Sequence, residues 1–273
     1  MRRSTLAEIE LNSTTPSITG GPAGSNLTFR IMEDLGIAIV TGRYSESNPF
    51  PIEASLCEKY GVSRSVLREA IKMLTAKGLL CARPRHGTWI QHEKNWNFFD
   101  PDVLRWLLER KLSYSLLIEF TQMRLAVEPR AAAFAARRAN HEEIAAIARA
   151  HSRMSAAELG ADDPLTSDIA FHVAIMKASG NRFYEQLCDM INTALRISIR
   201  MTNQLKGVQQ ASVADHKKVL DSIIAGDSEN AEAEMRAMIE EALMLITTAQ
   251  KHAQAYTERH PIKAEDFGTI SAA

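Results

Sequence analysis

The apolar residues in the first part of the chain recur at helical spacing. Between Leu27 and Val40 they fall three or four positions apart, the pattern of a helix with one buried face. The pattern stops at Gly42, and a stretch with two prolines then predicts an extended approach to the next helix. The chain therefore starts its folded part with one amphipathic helix.

A second and a third helix follow, separated by a tight turn. The second is predicted from about Ile52 to Tyr60, and Gly61 suits a left-handed cap at its end. Ser63 is predicted to cap the third helix, which ends at Gly78. The inner face of the third helix consists of Val66, Leu67, Ala70, Ile71 and Leu74. Two helices with this short turn form a helix-turn-helix.

Two short strands over 79–82 and 88–90 are predicted next, joined by a turn that contains Pro84 and Gly87. They add a wing to the helix-turn-helix. We assign residues 25–92 to a winged helix-turn-helix domain. Residues 1–24 are rich in Ser, Thr, Pro and Gly and are predicted to be a disordered arm.

The rest of the chain is helical almost without interruption. An aromatic-rich linker over 93–101 leads into residues 102–254, where half a dozen or so helices of about 20 residues are predicted. Breaks are predicted near Ser113, Asn140, Gly160, Gly180, 206–208 and Gly226. The fold class is mainly α: a winged domain followed by an antiparallel all-α bundle, with a flexible tail over 255–273.

Composition narrows the class of protein. The 273 residues are 45% hydrophobic and 24% charged, which is ordinary for a globular protein, and we find neither an apolar run of about 18 residues nor a signal peptide. The three cysteines, Cys57, Cys81 and Cys188, lie far apart and form no Cys-x-x-Cys pair. These scattered cysteines fit a reducing cytoplasm. The lack of a long apolar run predicts no membrane association.

Charge is divided unevenly between the two predicted domains. Residues 26–95 carry ten Lys or Arg against seven Asp or Glu, whereas residues 96–273 carry twenty against twenty-four. A basic module joined to a mildly acidic one indicates that the larger module does something other than hold DNA.

The basic residues of the winged domain predict a surface for duplex DNA. Arg64, Arg68 and Lys72 recur at intervals of four, so they share the face opposite the apolar one. The alternative is a charged face that only meets solvent, and the basic wing beside the helix argues against it. The predicted DNA-binding residues are Ser63, Arg64, Ser65, Arg68, Lys72, Arg83, Arg85, His86 and Gly87.

This region resembles the GntR superfamily of bacterial regulators. The family's Pro-x-Glu before the second helix is matched by 51–53, and its Ser-Arg-x-x-(hydrophobic)-Arg-Glu-Ala run by 63–70. The family often has an Arg that touches DNA directly after that Glu, where this chain has Ala54. The resemblance implies operator binding, with that contact and the family's usual operator sequence in question.

Asp168 and His172 lie four residues apart, so both project from one face of a helix. A carboxylate and an imidazole at this spacing can share one divalent ion. The same pair could equally be an ordinary helix-surface or core pair, or part of a polar pocket that bonds a ligand directly.

The stretches 168–187 and 215–235 resemble the FCD domain, the all-α domain of the FadR-type branch. That resemblance implies a metal held by Asp168, His172 and His216, with the family's fourth ligand position falling on Met238. A thioether is a poor replacement for imidazole at Zn²⁺, Mn²⁺ or Ni²⁺, but three ligands are typical of an open zinc site. One Asp and two neutral His leave a charge of +1, which attracts an anionic chelator such as a 2-hydroxy acid.

An anionic effector is also predicted from basic residues of the helical domain. Arg124 and Glu128 resemble the family's Arg-x-x-x-Glu signature, and Arg196 with Asn192 is a second candidate site. For these residues the alternative is salt bridging at the surface. The linker, together with the wing sequence, resembles the subgroup that contains galactonate-operon repressors.

We therefore predict a homodimeric, ligand-responsive repressor of a sugar-acid operon rather than an enzyme. Effector binding would reorient the winged domains, and DNA affinity would fall by linkage. One alternative keeps this class but senses another carboxylate such as lactate, or the metal itself. A second alternative is a metal-dependent enzyme with an appended DNA-binding domain; against it, no general base stands beside the proposed metal in the sequence.

Overall fold

A computed structural model describes residues 23–45, 48–83, 86–110 and 113–259. Most of the predicted arm and of the predicted tail lies outside the described residues, and so does Arg85. The parts that overlap are helical. The first helix begins at Ala23, and the last one continues to Arg259, five residues past the predicted end of the bundle.

The N-terminal unit is a winged helix-turn-helix, as predicted. Its helices are α1 (Ala23–Val40), α2 (Glu53–Tyr60) and α3 (Arg64–Ala76), and its wing consists of β1 (Leu80–Arg83) and β2 (Gly87–Ile90). The two strands pair antiparallel, with Leu80 opposite Ile90 and Arg83 opposite Gly87.

The turn between α2 and α3 has the predicted backbone but a different cap. Gly61 adopts a left-handed conformation with φ of 61°, which a residue without Cβ does at little cost. Ser63 occupies the N-cap position of α3, yet its side chain does not bond the helix amides. Its Oγ instead lies 2.9 Å from Oγ of Ser65. The predicted side-chain cap was wrong, and the first amides of α3 receive no bond from this hydroxyl.

Helix α4 (Pro101–Arg110) divides its apolar residues between two cores. Val103, Trp106 and Leu107 pack into the core of the winged unit, whereas Leu104 and Leu108 pack into the core of the helical domain. The sequence had assigned this helix to the helical domain alone. Its periodicity could not show that both sides of α4 are covered.

A close approach of α1 and α4 depends on one glycine. A Cβ atom at Gly36 would lie 2.4 Å from the ring of Trp106, so any larger residue would force the two helices apart. Around Trp106, Lys77 bonds Asp100 and Asp102 at 2.7 and 2.9 Å, and Arg105 bonds both carboxylate oxygens of Glu33 at 2.7 Å. We call this set of ion-paired residues the α4 clamp: Glu33, Lys77, Asp100, Asp102 and Arg105.

The helical domain contains seven further helices within residues 113–259. They are α5 (Tyr114–Arg138), α6 (His141–Glu158), α7 (Pro164–Ala178), α8 (Arg182–Gln186), α9 (Cys188–Lys206), α10 (Val213–Ile224) and α11 (Ser228–Arg259). Their breaks fall where the sequence predicted them, except that the break at Leu187 between the short helix α8 and α9 was not predicted. Helices α5 and α11 pack extensively on each other, and α6 packs on α7. Within the described ranges, no helix is both long and apolar enough to cross a membrane.

Candidate nucleic-acid interface and candidate metal centre

The outer face of α3 is the predicted DNA surface, and the structure leaves it open. Leu67 and Leu74 on the opposite face are fully buried, while Arg64, Arg68 and Lys72 are exposed. This division follows from the 3.6-residue period of the helix. Helix α3 therefore has a buried apolar face and an exposed basic face, as the sequence predicted.

The cations of this face have weak local partners. Nε of Arg68 lies 3.1 Å from Oε2 of Glu53, and Nζ of Lys72 lies 2.7 Å from Oε1 of Glu69. Ion pairs between exposed side chains stabilise a fold by only about 0–1 kcal/mol. A phosphate or a base edge can therefore replace either carboxylate at small cost.

The start of α3 has a second set of groups that suit a phosphate. Ser63 and Ser65 are exposed, and the first amides of any helix lack partners within the helix. Such an end attracts a phosphate through these amides and the helix dipole. Both serines lie beside Arg64, so the hydroxyl groups and the guanidinium share one end of the helix.

The wing presents the remaining predicted contacts. Arg83 is exposed, and its guanidinium carbon lies 5.6 Å from the ring centroid of Trp89, which orients the side chain. His86 and Gly87 are exposed at the tip, where Gly87 has a φ of 84°. Arg85 lies outside the described residues, so its predicted contact stays a prediction.

The predicted metal ligands come together in the helical domain. Asp168 and His172 lie one turn apart on α7, whose start is fixed by the cap of Asp163 on the amide of Thr166. His216 enters from the first turn of α10. All three side chains are buried, and their ligand atoms lie within 4.8 Å of one another.

Hydrogen bonds turn both imidazoles toward Asp168. Nδ1 of His172 lies 2.7 Å from Oε2 of Glu128, and Nδ1 of His216 lies 2.7 Å from the carbonyl oxygen of Ser212. A carboxylate and a carbonyl accept here, so each Nδ1 donates its proton. In the neutral form each Nε2 then has a free lone pair, the arrangement usual for metal-binding histidines.

The geometry of the three ligand atoms fits a small divalent ion. Oδ1 of Asp168 lies 3.3 Å from Nε2 of His172 and 3.3 Å from Nε2 of His216. Ligands at 2.0–2.2 Å from a tetrahedral zinc ion would lie roughly 3.3–3.6 Å apart. Oδ1 of Asp168 and Nε2 of His216 are also buried without a hydrogen-bond partner, which costs free energy unless something satisfies them.

Electrostatics keep the site ionised. Burial alone would raise the pKa of Glu128, but the positive charges of Arg124 and His172 lower it to about 2. Burial would likewise raise the pKa of Asp168, and the two neighbouring histidines hold it below its usual value. Burial would lower the pKa of His172, whereas Glu128 and Asp168 raise it to about 9. A proton therefore competes with a cation for Nε2 of His172.

A pocket opens beside these ligands, between α5, α7, α9, α10 and α11. Arg124 lines it, but its guanidinium is already bonded to Glu128 at 2.6 and 3.3 Å. Met238 lines it too, so the fourth family position does face the same pocket. Neither Asn192 nor Arg196 is among the lining residues, and Arg196 is exposed. Their predicted contact with an effector stays a prediction.

Sequence reasoning missed three polar residues that α9 contributes to this pocket. They are Thr202, Asn203 and Lys206, which lie about two to four turns beyond Asn192 and Arg196. A helix repeats its faces at seven-residue intervals, so Asn192 at position i predicts 199 and 206 on roughly the same side. The sequence could therefore have predicted which side of α9 faces the pocket, but not how far along the helix the pocket lies.

A winged helix-turn-helix with an exposed basic face, joined to an all-α domain with a polar pocket, is the architecture of a DNA-binding transcription regulator. Comparison with known families agrees: residues 27–90 match "Bacterial regulatory proteins, gntR family", and residues 119–241 match "FCD domain". The chain belongs to the GntR family and carries an FCD domain.

Individual relatives give the same result. The chain is 32% identical to the galactonate operon transcriptional repressor of Escherichia coli K12, over 78% of this chain and 94% of that protein. It is 30% identical to the putative L-lactate dehydrogenase operon regulatory protein of the same organism, over 77% and 81%. These two similarities span both domains.

Among solved structures, Lar, which controls the expression of the Listeria monocytogenes agr system, shares the fold. That match has a TM-score of 0.53 and 16% identity, and covers 85% of this chain and 99% of the other.

Proposed function

We propose that this regulator is a homodimeric repressor of a sugar-acid catabolic operon, acting on duplex DNA in the cytoplasm. An anionic sugar acid would bind in the pocket of the FCD domain together with a divalent ion, Zn²⁺, Ni²⁺ or Mn²⁺. Binding would lower operator affinity, because a ligand that prefers the DNA-free arrangement shifts the equilibrium toward it.

The observation that carries the proposal is the convergence of Asp168, His172 and His216. Oδ1 of Asp168 lies 3.3 Å from Nε2 of each histidine, and Oδ1 of Asp168 and Nε2 of His216 are buried without a hydrogen-bond partner among the described residues. When bound, a divalent ion would supply positive charge and open coordination positions for a carboxylate and a neighbouring hydroxyl. The three residues would hold it, and Glu128 and Ser212 orient the imidazoles.

Charge balance explains why an ion and an anion would bind together. Arg124 is neutralised by Glu128, and Asp168 balances the charge of a protonated His172. At the rim, Asp215 pairs with Lys218 and Glu241 pairs with Lys206, each at 2.8 Å. Protein groups alone therefore give the pocket no clear positive excess. A divalent cation at Asp168 reverses this balance, and an anionic ligand can then enter.

Polar side chains beside the metal ligands favour a polyhydroxylated acid. Thr202 and Asn203 line the pocket and can exchange hydrogen bonds with hydroxyl groups. Oγ1 of Thr202 donates to the carbonyl oxygen of Ser198 at 3.1 Å, so it remains free to accept. The name of the galactonate operon repressor points in the same direction.

A second candidate effector is lactate or a similar short 2-hydroxy acid. The observation in its favour is the 30% identity to a protein named for an L-lactate dehydrogenase operon. Lactate would use the same carboxylate and 2-hydroxyl at the ion but would leave Thr202 and Asn203 without a contact.

Calorimetry on the full-length protein tests the proposal. D-galactonate should bind wild-type protein more tightly than L-lactate does, should weaken operator binding, and should not be consumed. Chelation, or His172→Ala, should abolish binding of the acid while circular dichroism shows an intact helical domain. His141→Ala, which changes an exposed histidine outside the pocket, is the matched control and should bind normally.

Three results would contradict the proposal. Normal binding of the acid by a metal-free wild type would remove the ion from it. Tighter binding of lactate would favour the second effector. Turnover of the acid would favour a metal-dependent enzyme over a regulator.

A further inference from the structure

One ion pair joins α9 and α11 at the pocket. Nζ of Lys206 lies 2.8 Å from Oε2 of Glu241, and both residues line the same pocket as the three metal ligands. The side chains are 28% and 48% exposed, so the pair lies at the mouth rather than in the buried interior. An ion pair in this position is weak and easily exchanged.

The other fixed cation of the pocket is not free to exchange. Arg124 and Glu128 are 5% and 1% exposed and joined by two hydrogen bonds, and Glu128 also accepts from His172. Separating Glu128 from Arg124 would break both hydrogen bonds of a buried charged pair, which is strongly unfavourable. The charge of Arg124 is therefore already balanced in place, and only its remaining N–H donors are left for an incoming carboxylate.

We infer that Lys206 is the cation that recognises the effector's carboxylate, and that Glu241 is a built-in competitor that this carboxylate displaces. The inference rests on the proposed function, since it names the residue that gives that pocket its preference for an anion. It makes Lys206 a determinant of specificity, and it gives Glu241 the role of weakening the binding of any acid.

Replacement of Glu241 by the ligand's carboxylate costs little free energy and favours anions over neutral ligands. Glu241 is half exposed, so after displacement its carboxylate returns to water at little cost. The ligand's carboxylate meanwhile gains a charged hydrogen bond, which is stronger than one between neutral groups. Neutral polyols of the same size gain nothing from Lys206 and cannot displace Glu241.

The test uses metal-loaded full-length protein and D-galactonate in calorimetry. Lys206→Gln should weaken binding about 10- to 150-fold, the loss of one charged hydrogen bond. Glu241→Gln should tighten binding about two- to five-fold, because the competitor's charge is gone. Lys206→Arg keeps the positive charge and should restore most of the affinity that Lys206→Gln loses.

Glu232→Gln is the matched control. Glu232 also lies on α11 and pairs with Arg130 of α5 at 2.9 Å, but it does not line the pocket. It should leave the affinity unchanged, and metal content should stay at the wild-type level in all four variants. Lys206→Gln with wild-type affinity would overturn the inference, and so would Glu241→Gln with weakened binding, since Glu241 would then contact the acid itself.

Failure of the two ideas can be told apart. If wild-type protein binds no acid of the series, the proposed function falls and takes this inference with it. If the wild type binds galactonate and the Lys206 and Glu241 variants behave like the control, only the inference falls.

Discussion

The outer face of α3 and the pocket of the FCD domain use the same residue types in opposite ways. On α3, Arg68 and Lys72 are 62% and 71% exposed, and each has one exposed acidic partner. In the pocket, Arg124 and Glu128 are almost fully buried and joined into a network with His172. The exposed charges are available for a ligand but add little to stability. The buried ones are held in one network, and removing one of them leaves another buried charge without its partner.

Helix α4 connects these two regions. It packs against α1 in the winged unit and against α9, which carries Thr202, Asn203 and Lys206 at its C-terminal end. The α4 clamp fixes its first turns to α1 and to Lys77 after α3. A change in α9 therefore has a packed route to the DNA-binding unit.

The largest expected effect separates buried from exposed ion pairs. Glu128→Ala leaves Arg124 buried without a partner, so it should destabilise the helical domain by about 3–5 kcal/mol. Glu53→Ala breaks the exposed pair with Arg68 and should cost about 0–1 kcal/mol. Urea denaturation of both variants measures the difference. Equal losses would show that burial does not distinguish these two pairs.

The next prediction concerns substitutions that should change DNA affinity but leave the stability of the fold unchanged. Arg64→Ala or Arg68→Ala should lower operator affinity by about 1–3 kcal/mol if the side chain reads a guanine. Lys72→Ala should weaken all DNA sequences alike, as expected for a phosphate contact. Fluorescence anisotropy with operator and unrelated duplexes measures both, and melting temperatures should not change. Wild-type operator affinity in both arginine variants would exclude α3 as the reading helix.

At the pocket, one substitution should increase the affinity for a metal ion. Met238→His would place an imidazole where the chain has a thioether, so Zn²⁺ affinity should rise by about tenfold or more, about 1.4 kcal/mol. The same change should weaken effector binding, because a fourth protein ligand takes a coordination position. Competition with a chromogenic chelator measures the first effect and calorimetry the second. Unchanged Zn²⁺ affinity would mean that residue 238 does not reach the ion.

The smallest effect lies in the α4 clamp between the two regions. Burial alone would raise the pKa of Asp102, but Lys77 and Arg105 hold it below its usual value. Its folded pKa is thus below its unfolded one, so its contribution is present above about pH 4 and is lost as pH falls through the folded pKa.

Asp102→Asn should therefore lower stability by about 1 kcal/mol or less at pH 7 and by less than that at pH 2. Urea denaturation at the two pH values measures this difference, with Asp189→Asn, at an exposed residue outside the clamp, as a control. A constant difference at both pH values would contradict the assignment.

The winged unit was almost fully predictable from local patterns. The apolar spacing of α3, the left-handed turn at Gly61 and the glycine turn of the wing each depend on a few neighbouring residues. The side-chain cap of Ser63 was the error, since Ser65 offered a competing partner two residues away. Which of two hydroxyl contacts forms is a matter of small free-energy differences that a pattern does not contain.

The candidate metal centre was predictable only in part. The four-residue spacing of Asp168 and His172 places them on one face of α7, whatever else the chain does. His216 lies 44 residues beyond His172, and only the packing of α10 brings the two rings to a centroid distance of 5.5 Å. Its place in the site came from family resemblance, not from spacing.

The sequence by itself determined most of the helices and their breaks, though not the break at Leu187, as well as the exposed basic face of α3 and the pairing of Asp168 with His172. These features follow from periodicity and from contacts within a few residues. The tertiary structure alone decided that Glu128 orients His172, that α4 serves two cores, and that Lys206 meets Glu241. Such contacts join residues from different elements, and their free energies depend on burial, which the packing of all helices together sets.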